Sequence, residues 1–260
     1  MSYRIQKLFC VLLFVVLVGS SVVLAQNPPP RSPTETTRLF YQMLREKKFR
    51  EAFVLSIYRS AIESLSQQEF DELRPDFEKM ALAVSEKIPA KIDISGEQIS
   101  GDVATVFVKV LDADGKEKVE PATLIKLDNA WIVGDKENLD LVRKAGKQFF
   151  FEARINAHHS DVQDMMTRIS LAQVLYSQNH NGQFGNAAEL IGAGVVPKDI
   201  EGTESTGYHF QINRAPDGKS WYATAEPVQY GRTGRLSFYL DATGVRSGDN
   251  GGKPLVLKTN

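Results

Sequence analysis

The sequence is poor in cysteine: the single one, Cys10, lies inside an apolar run near the N-terminus. The residues before it, Lys7-Leu8-Phe9, do not form a lipobox, so Cys10 is interpreted as part of the apolar run rather than as a lipidated residue. Residues 26–260 contain no cysteine. Disulfides and thiol chemistry are therefore excluded from that part of the chain.

Histidine is also scarce, with four in 260 residues and none in residues 32–137. The sequence has no HExxH segment, no phosphate-binding loop and no constellation of Ser, His and Asp. Gly231-Arg232-Thr233-Gly234 is interpreted as a turn, because no helix is predicted after it. We therefore predict a protein that is not an enzyme, with no catalytic, cofactor-binding or metal-binding residues.

Charge of one sign is not in excess, since 31 Lys and Arg face 32 Asp and Glu. A formal net charge of −1 gives no basic footprint for nucleic acid. The hydrophobic content of 42% is normal for a globular protein, and the length suffices for two small domains.

The N-terminus has the three parts of a secretory signal. Arg4 and Lys7 precede the apolar run 8–18, and Val23-Leu24-Ala25 ends the segment on a small residue that suits signal peptidase. We predict a cleavable signal over residues 1–25, a periplasmic or secreted location and no membrane span after cleavage. The alternative is an inner-membrane protein anchored by the uncleaved signal, because residues 8–25 approach the lower length limit of a spanning helix.

Residues 26–31 form a predicted Pro-rich tether, and a domain over residues 32–137 follows. Ser32-Pro33-Thr34-Glu35 is a capping box, which predicts the start of a helix. Apolar residues at spacings of three and four predict two short helices up to Ile57 and a third over residues 70–84. Pro75 is expected to kink or restart that third helix.

From Ala90 the apolar period changes to two, which predicts strands. The residues that mark them are Ile92, Ile94, Ala104, Val106, Val108, Val110, Leu124, Leu127, Trp131 and Val133. Turn residues separate these runs, so the strands should form an antiparallel meander. The fold class is α+β, with helices followed by a curled antiparallel sheet that wraps one helix into a cone.

Residues 99–110, with Gly-Asp and alternating valines, and residues 126–132 resemble the cone-shaped nuclear transport factor two-like superfamily, especially small members in bacterial exported proteins. Some members of that superfamily are dehydratases or isomerases that place Asp and His or Tyr inside the cone. Here Asp93 should lie on the solvated face, and Tyr41 and Tyr58 have no evident acid partner. Two alternatives remain open for this domain. The cone could bind an apolar small ligand, or it could be an isomerase- or dehydratase-like enzyme if a buried, unpaired carboxylate lies inside it.

The second predicted domain covers residues 138–260 and starts with a long helix from Asn138 to about Gln178, buried along one face. Asn179-His180-Asn181-Gly182 ends this helix. A short helix or turn over residues 187–191 follows. Four strands then form a small antiparallel sheet, at residues 208–213, 221–225, 236–240 and 245–246.

This second layout is similar to the head of a type IV pilin or type II secretion pseudopilin. The matching residues are 151–157, 170–176, 182–185, 207–210, 225–227 and 231–234, with Phe238, Asp241, Gly244, Val245 and Arg246. The prepilin leader and the hydrophobic half of the helix are missing. The resemblance therefore implies a pilin-like head reused as a soluble module.

Two weak metal candidates were weighed against simpler interpretations. The first is a set of His and Asp residues at helical spacing: His158, His159, Asp161 and Asp164. Adjacent histidines point about 100° apart on a helix, so a solvated polar face is the preferred interpretation. The second is Asp241 with Asp249 and Asn250, whose spacing fits no calcium loop and favours a simple turn.

The combined prediction is an exported, non-catalytic binding or scaffold protein of the bacterial cell envelope, with a protein partner there and no cofactor. One alternative is an accessory component of a type IV pilus or type II secretion system, which would need an exposed apolar seam on the helix 138–178. Phe149, Phe150 and Phe151 point in three directions, and we expect them mainly to pack under the first domain's sheet.

Overall fold

The computed structural model describes residues 30–202 and 206–255. The predicted signal peptide and residues 26–29 of the tether lie outside the described residues. The helices are α1 (Pro33–Arg45), α2 (Phe49–Val54), α3 (Arg59–Glu63), α4 (Gln67–Lys87), α5 (Lys136–Ala145), α6 (Gln148–Asn179) and α7 (Ala187–Gly192). The strands are β1 (Ile94–Ser100), β2 (Val103–Leu111), β3 (Glu117–Leu127), β4 (Ala130–Val133), β5 (Tyr208–Arg214), β6 (Trp221–Pro227), β7 (Leu236–Asp241) and β8 (Gly244–Asp249).

Capping sets the starts of the first helices, as the sequence predicts for α1. The Ser32 hydroxyl accepts from the Glu35 N–H, and the Glu35 carboxylate accepts from the Ser32 N–H. Ser66 and Glu69 repeat the arrangement at α4. Of the two expectations for Pro75, the restart of the third helix is wrong, because α4 continues through Pro75 as one helix of 21 residues, and the kink stays a prediction.

Strands β1 to β4 form one antiparallel sheet in sequence order, which is the predicted meander. Strand β1 starts at Ile94 rather than at Ile92. Alternate residues of β2, from Ala104 to Val110, are buried on one face. Asp93 is exposed and forms an ion pair with Lys109 at 2.8 Å, as expected for a solvated position.

The predicted helix from Asn138 to Gln178 is two helices, α5 and α6, so the single-helix expectation is wrong. Gly146 separates them with a φ of 54°, a conformation that glycine adopts without steric cost. At the other end, Asn181 and Gly182 also have positive φ and terminate α6 as predicted.

Strands β5 to β8 form a second antiparallel meander, and a 3-10 turn at Lys198–Glu201 precedes it. The molecule is therefore α+β, with two four-stranded antiparallel sheets. No helix in residues 30–202 and 206–255 is both long and apolar enough to cross a membrane.

Helix α6 contributes to two apolar cores. Phe150 and Phe151 belong to a core built from α1 to α5 and the ends of β3 and β4. Val162 and the buried residues after it on α6 belong to a second core against β5 to β7. The predicted domain boundary after residue 137 stays a prediction, and the first core draws on residues up to Phe151.

Candidate ligand-binding pocket

A cavity of about 240 Å³ lies beside the first sheet, between helices α1 and α4 and strands β2 and β3. Its lining is mostly apolar and comes from four elements. The lining residues are Tyr41, Met80, Ala83, Val84, Lys87, Ile88, Val108, Val110, Glu120, Pro121 and Ala122. Val108 and Val110 form a buried floor, because the two-residue period of β2 turns both toward the helices.

The end of α4 is held against α1, which fixes two walls of the cavity. The Arg45 guanidinium donates to the carbonyl oxygens of Ile88 at 2.6 Å and Ser85 at 3.4 Å. These carbonyls belong to the last turn of α4, where no intrahelical donor is available to them. One charged side chain on α1 thus satisfies the helix end and sets the spacing between α1 and α4.

Tyr41 is one of three polar or charged residues in the cavity lining, with Lys87 and Glu120. Burial raises the pKa of its phenol, and the negative charge of Glu120 adds to the increase. The phenol therefore stays protonated and can donate a hydrogen bond at neutral pH. Tyr41 and Glu120 both line the cavity, but no hydrogen bond joins them in the described residues, so the absence of an acid partner for Tyr41 stays a prediction.

Glu120 does not supply the buried, unpaired carboxylate that an isomerase or dehydratase needs. Its carboxylate lies 2.6 Å from the Lys118 ammonium, and its side chain is 45% exposed. Within the described residues, an unpaired buried carboxylate oxygen occurs at Glu226, on β6, and none occurs in residues 32–137. Burial raises the pKa of Glu226, and the charge of His209 opposes that increase.

The two adjacent histidines of α6 point to different backbone groups. His158 is buried, and its Nδ1 lies 2.8 Å from the Thr233 carbonyl oxygen. His159 Nε2 accepts from the backbone N–H groups of Arg235 at 3.2 Å and Leu236 at 3.3 Å. Both side chains therefore join α6 to the segment before β7.

Asp161 and Asp164 are exposed on α6 and do not converge with the histidines. In residues 30–202 and 206–255, no group of three or more His, Cys, Asp or Glu side chains could hold a metal ion.

The Asp241 and Asp249 carboxylates lie at opposite ends of the β7–β8 hairpin. Asp241 pairs with Gly244 at the tip, whereas Asp249 pairs with Leu236 at the base. Five residue steps of about 3.4 Å separate the two positions. Asp241 accepts from Thr243, and Asn250 donates to the Pro254 carbonyl at 2.8 Å. The calcium alternative joining Asp241, Asp249 and Asn250 is therefore wrong.

The three phenylalanines at the start of α6 pack against helices rather than under the sheet. Phe150 contacts Phe53 and Phe77, with ring centroids 5.2 and 5.0 Å away. Phe151 is fully buried, and Phe149 is partly buried against the same core.

Sequence reasoning missed Lys87, Met80 and Glu120 as members of one cavity. Met80 and Val84 were assigned to the core from their helical spacing, and that spacing is the same for a core and for a cavity wall. Tyr41 and Glu120 lie about eighty residues apart in the sequence, so no local pattern predicts that they line one cavity.

No protein-family model and no curated protein matches the chain. A search of solved structures finds the crystal structure of a protein from Campylobacter jejuni named as an NTF2-like transpeptidase, 18% identical, with a TM-score of 0.30. The alignment covers 41% of this chain and 100% of that chain. The match is to a protein of the superfamily that the sequence resembles, and its TM-score is too low to establish a common fold.

Proposed function

We propose that this protein is an exported, non-catalytic binding protein of the cell envelope whose first domain holds a small, mostly apolar ligand. The cavity between α1, α4 and the first sheet is the observation that carries the proposal. Concave, mostly apolar sites with a few converging polar groups are typical of small-molecule binding.

The lining defines the ligand chemistry. A volume of about 240 Å³ lies just below the usual range of drug-sized sites, roughly 300 to 1,000 Å³. Valine, isoleucine, alanine and methionine side chains suit an apolar body. The Tyr41 hydroxyl and the Lys87 ammonium are the donors in the lining, so the ligand should carry one hydroxyl, carbonyl or carboxylate oxygen.

Binding is favoured over catalysis by the titratable groups that are present. Tyr41 is held protonated, Glu120 is paired with Lys118, and Lys87 lies on the exposed last turn of α4. Among the described lining residues, Tyr41, Lys87 and Glu120 form no hydrogen bond or ion pair with one another. General acid–base catalysis needs such a pair with matched pKa values.

The test is an NMR titration of the mature protein, residues 26–260, with octanoate and octanol. We expect chemical-shift changes at Tyr41 and the β2 valines. Ala83→Trp should block the cavity mouth, since Ala83 is an exposed lining residue of α4. Leu82→Trp is the matched control, because Leu82 is 62% exposed on the same helix and outside the cavity.

Loss of binding in Ala83→Trp with retention in Leu82→Trp supports the proposal. Equal binding by both variants and the parent chain overturns it, as does an absence of shifts with either ligand.

A specific observation favours a second candidate, an accessory component of a pilus or secretion filament. Leu171, Val174 and Leu175 are 61%, 50% and 51% exposed and lie at i, i+3 and i+4 on α6. This group, the α6 seam, is the exposed apolar surface that the filament alternative requires. Its expected occupant is an apolar helix face of a second subunit.

Light scattering and cross-linking test that candidate on the mature protein. Replacing both Leu171 and Leu175 with Gln should abolish any assembly. Leu141→Gln is the control, since Leu141 is 56% exposed on α5 and away from the seam. Assembly that survives the double replacement, or a chain that stays monomeric throughout, excludes the seam as an interface.

A further inference from the structure

A second groove, of about 650 Å³, lies at one end of the C-terminal sheet. The end of β5, the start of β6 and the tip of the β7–β8 hairpin form its walls. Tyr222 and Tyr239 lie side by side in it, with ring planes 8° apart and centroids separated by 5.7 Å. We call this tyrosine pair the aromatic platform.

Core packing does not explain the aromatic platform. On β6, Ala223 and Ala225 are fully buried against α6, so Tyr222 points to the opposite face. On β7, Phe238 and Leu240 face the same core, which places Tyr239 outside it. Tyr222 is 42% exposed. Tyr239 is half-buried, and the Arg246 guanidinium lies 5.9 Å from its ring centroid, so Tyr222 supplies the exposed aromatic surface that a ligand can contact.

The groove also carries unmatched positive charge. The Arg214 guanidinium lies 3.0 Å from the Glu189 carboxylate and also donates to the Phe184 carbonyl. The Lys219 ammonium has no carboxylate oxygen within 4 Å in the part of the chain that the structure describes, whereas the Lys219 backbone N–H donates to the Asp217 carboxylate at 2.9 Å. Asp241 is the acid in the lining, and it accepts from Thr243 and pairs with Arg246.

Backbone groups of the groove are already paired with each other. The Ala215 N–H donates to the Ser220 carbonyl, and the Gly218 N–H donates to the Ala215 carbonyl, both at 2.9 Å. The Phe184 N–H donates to the Gly218 carbonyl at 2.9 Å. An extended peptide, which relies on free backbone partners, would find few here. Recognition must come from ring faces and cationic side chains.

We propose that this groove binds an acidic saccharide. The C–H face of a sugar ring carries partial positive charge and matches the negative face of a tyrosine ring. A carboxylate on the sugar would meet the Lys219 ammonium, with Arg214 behind it. The volume lies within the usual range for small-ligand sites. This site is separate from the cavity beside the first sheet and does not depend on it.

The test is an NMR titration of the mature protein with trigalacturonate, compared with the neutral sugar maltotriose. We expect shifts at Tyr222, Tyr239 and Lys219, and tighter binding of the acidic probe. Tyr222→Ala should weaken binding of trigalacturonate by at least about tenfold, because it removes the stacking surface. Lys219→Gln should weaken trigalacturonate binding about fivefold and leave maltotriose binding unchanged.

Tyr230→Ala is the control for loss of an exposed tyrosine, since Tyr230 is 48% exposed and outside the groove. Its trigalacturonate affinity should equal that of the parent chain. The proposal is overturned if no shifts occur at about 10 mM probe, if Tyr222→Ala binds as tightly as the control, or if maltotriose binds as tightly as trigalacturonate. Tighter binding of a tetraglutamate peptide than of trigalacturonate also overturns it.

Discussion

The two halves of α6 share one sequence pattern but have different neighbours. From Phe151 to Tyr176, buried residues recur every three or four positions without interruption. The first half packs against aromatic rings and carboxylates of α2 and α4, whereas the second half packs against the second sheet, where Tyr208, Trp221 and Phe238 lie among aliphatic and small residues. Hydrophobic periodicity identifies the buried face of a helix, and it carries no information about which element covers that face.

The polar contacts of the two halves differ as well. Arg154 is 8% exposed in its side chain and lies between Glu72 at 3.0 Å and Asp76 at 2.6 Å. In the second half, the uncharged Gln173 amide is fully buried and pairs with both backbone groups of Gly185, at 2.7 and 2.9 Å. The ion pairs of Arg154 fix the orientation of α6 against α4. The neutral Gln173 amide fixes α6 against the backbone turn that contains Gly185.

The largest expected effect comes from removing an apolar anchor in each half. Phe151→Ala should lower the free energy of unfolding by about 3–5 kcal/mol, and Ile169→Ala by about 2–5 kcal/mol. Both residues are fully buried. Because α6 completes both cores, each variant should destabilise both sheets together.

Trp131 on β4 and Trp221 on β6 report on the two sheets separately. Replacing one tryptophan at a time with Phe gives two proteins whose fluorescence follows one sheet each during urea unfolding. Coincident transitions in Phe151→Ala support coupling through α6. A fall in the Trp131 midpoint alone would show that the two regions unfold independently.

Polar anchors should have the next largest effect. Arg154→Met leaves the half-buried Asp76 carboxylate unpaired and leaves Glu72 with Arg232 at 3.9 Å, so it should cost about 2–3 kcal/mol. Gln173→Met leaves the Gly185 N–H and C=O unpaired and should cost about 1–3 kcal/mol. Urea unfolding measures both. If Arg154→Lys retains full stability, the forked geometry of the guanidinium is not required.

A pH-dependent effect should originate at the junction of α6 with β7. Burial lowers the pKa of His159, and the positive charges of Arg235 and His158 lower it further. The neutral ring is thus favoured in the folded state, while the unfolded chain keeps the ordinary value near 6.5. The stabilisation is fully present above that value and is lost as the pH falls through the lower, folded-state pKa.

The urea midpoint of unfolding, followed by Trp221 fluorescence, should therefore decrease as the pH is lowered from about 7.5 to about 5. His159→Gln keeps an acceptor for the Arg235 and Leu236 N–H groups and should reduce this pH dependence. The control is His180→Gln, at the far end of α6. An equal pH dependence in both variants would assign the effect to groups other than His159.

The smallest effect should come from the surface ion pair at the start of α6. Lys147 lies 3.0 Å from Glu69 and is 49% exposed, so Lys147→Gln should change stability by less than about 0.5 kcal/mol. The pKa of Glu69 is lowered to about 2, chiefly by the Ser66 N–H, with Lys147 second. Ser66→Ala keeps that N–H but removes the hydroxyl that accepts from the Glu69 N–H at the start of α4, so it should cost more, about 1 kcal/mol. A larger loss in Lys147→Gln would reverse this order.

Local signals in the sequence predicted much of the secondary structure. The capping box at Ser32, the alternating valines of β2 and the Asn-Gly end of α6 each depend on residues within a few positions. Gly146 was missed because a single glycine within an apolar helical pattern is often tolerated. The restart predicted at Pro75 did not occur, because core packing of Phe70, Leu73 and Phe77 stabilises α4 by more than the proline destabilises it.

Neither candidate site could be predicted in this way. The cavity joins α1 and α4 to β2 and β3, and the aromatic platform joins diagonal neighbours on β6 and β7. Tyr222 and Tyr239 had the same alternating pattern as any strand residues, and only the register of the sheet brings their rings together. The signal peptide and the pilin-like resemblance stay predictions.

The position of Phe150 and Phe151 also determines when the first core is completed during synthesis and which N-terminal fragments can fold. During synthesis from the N-terminus, the aromatic cluster of Phe53 and Phe77 stays incomplete until these two residues have emerged. A fragment ending at residue 137 would expose that cluster to water and should aggregate. A fragment ending after Arg154 would keep both rings and the clamp to α4, so it is the shortest N-terminal piece that we expect to fold alone.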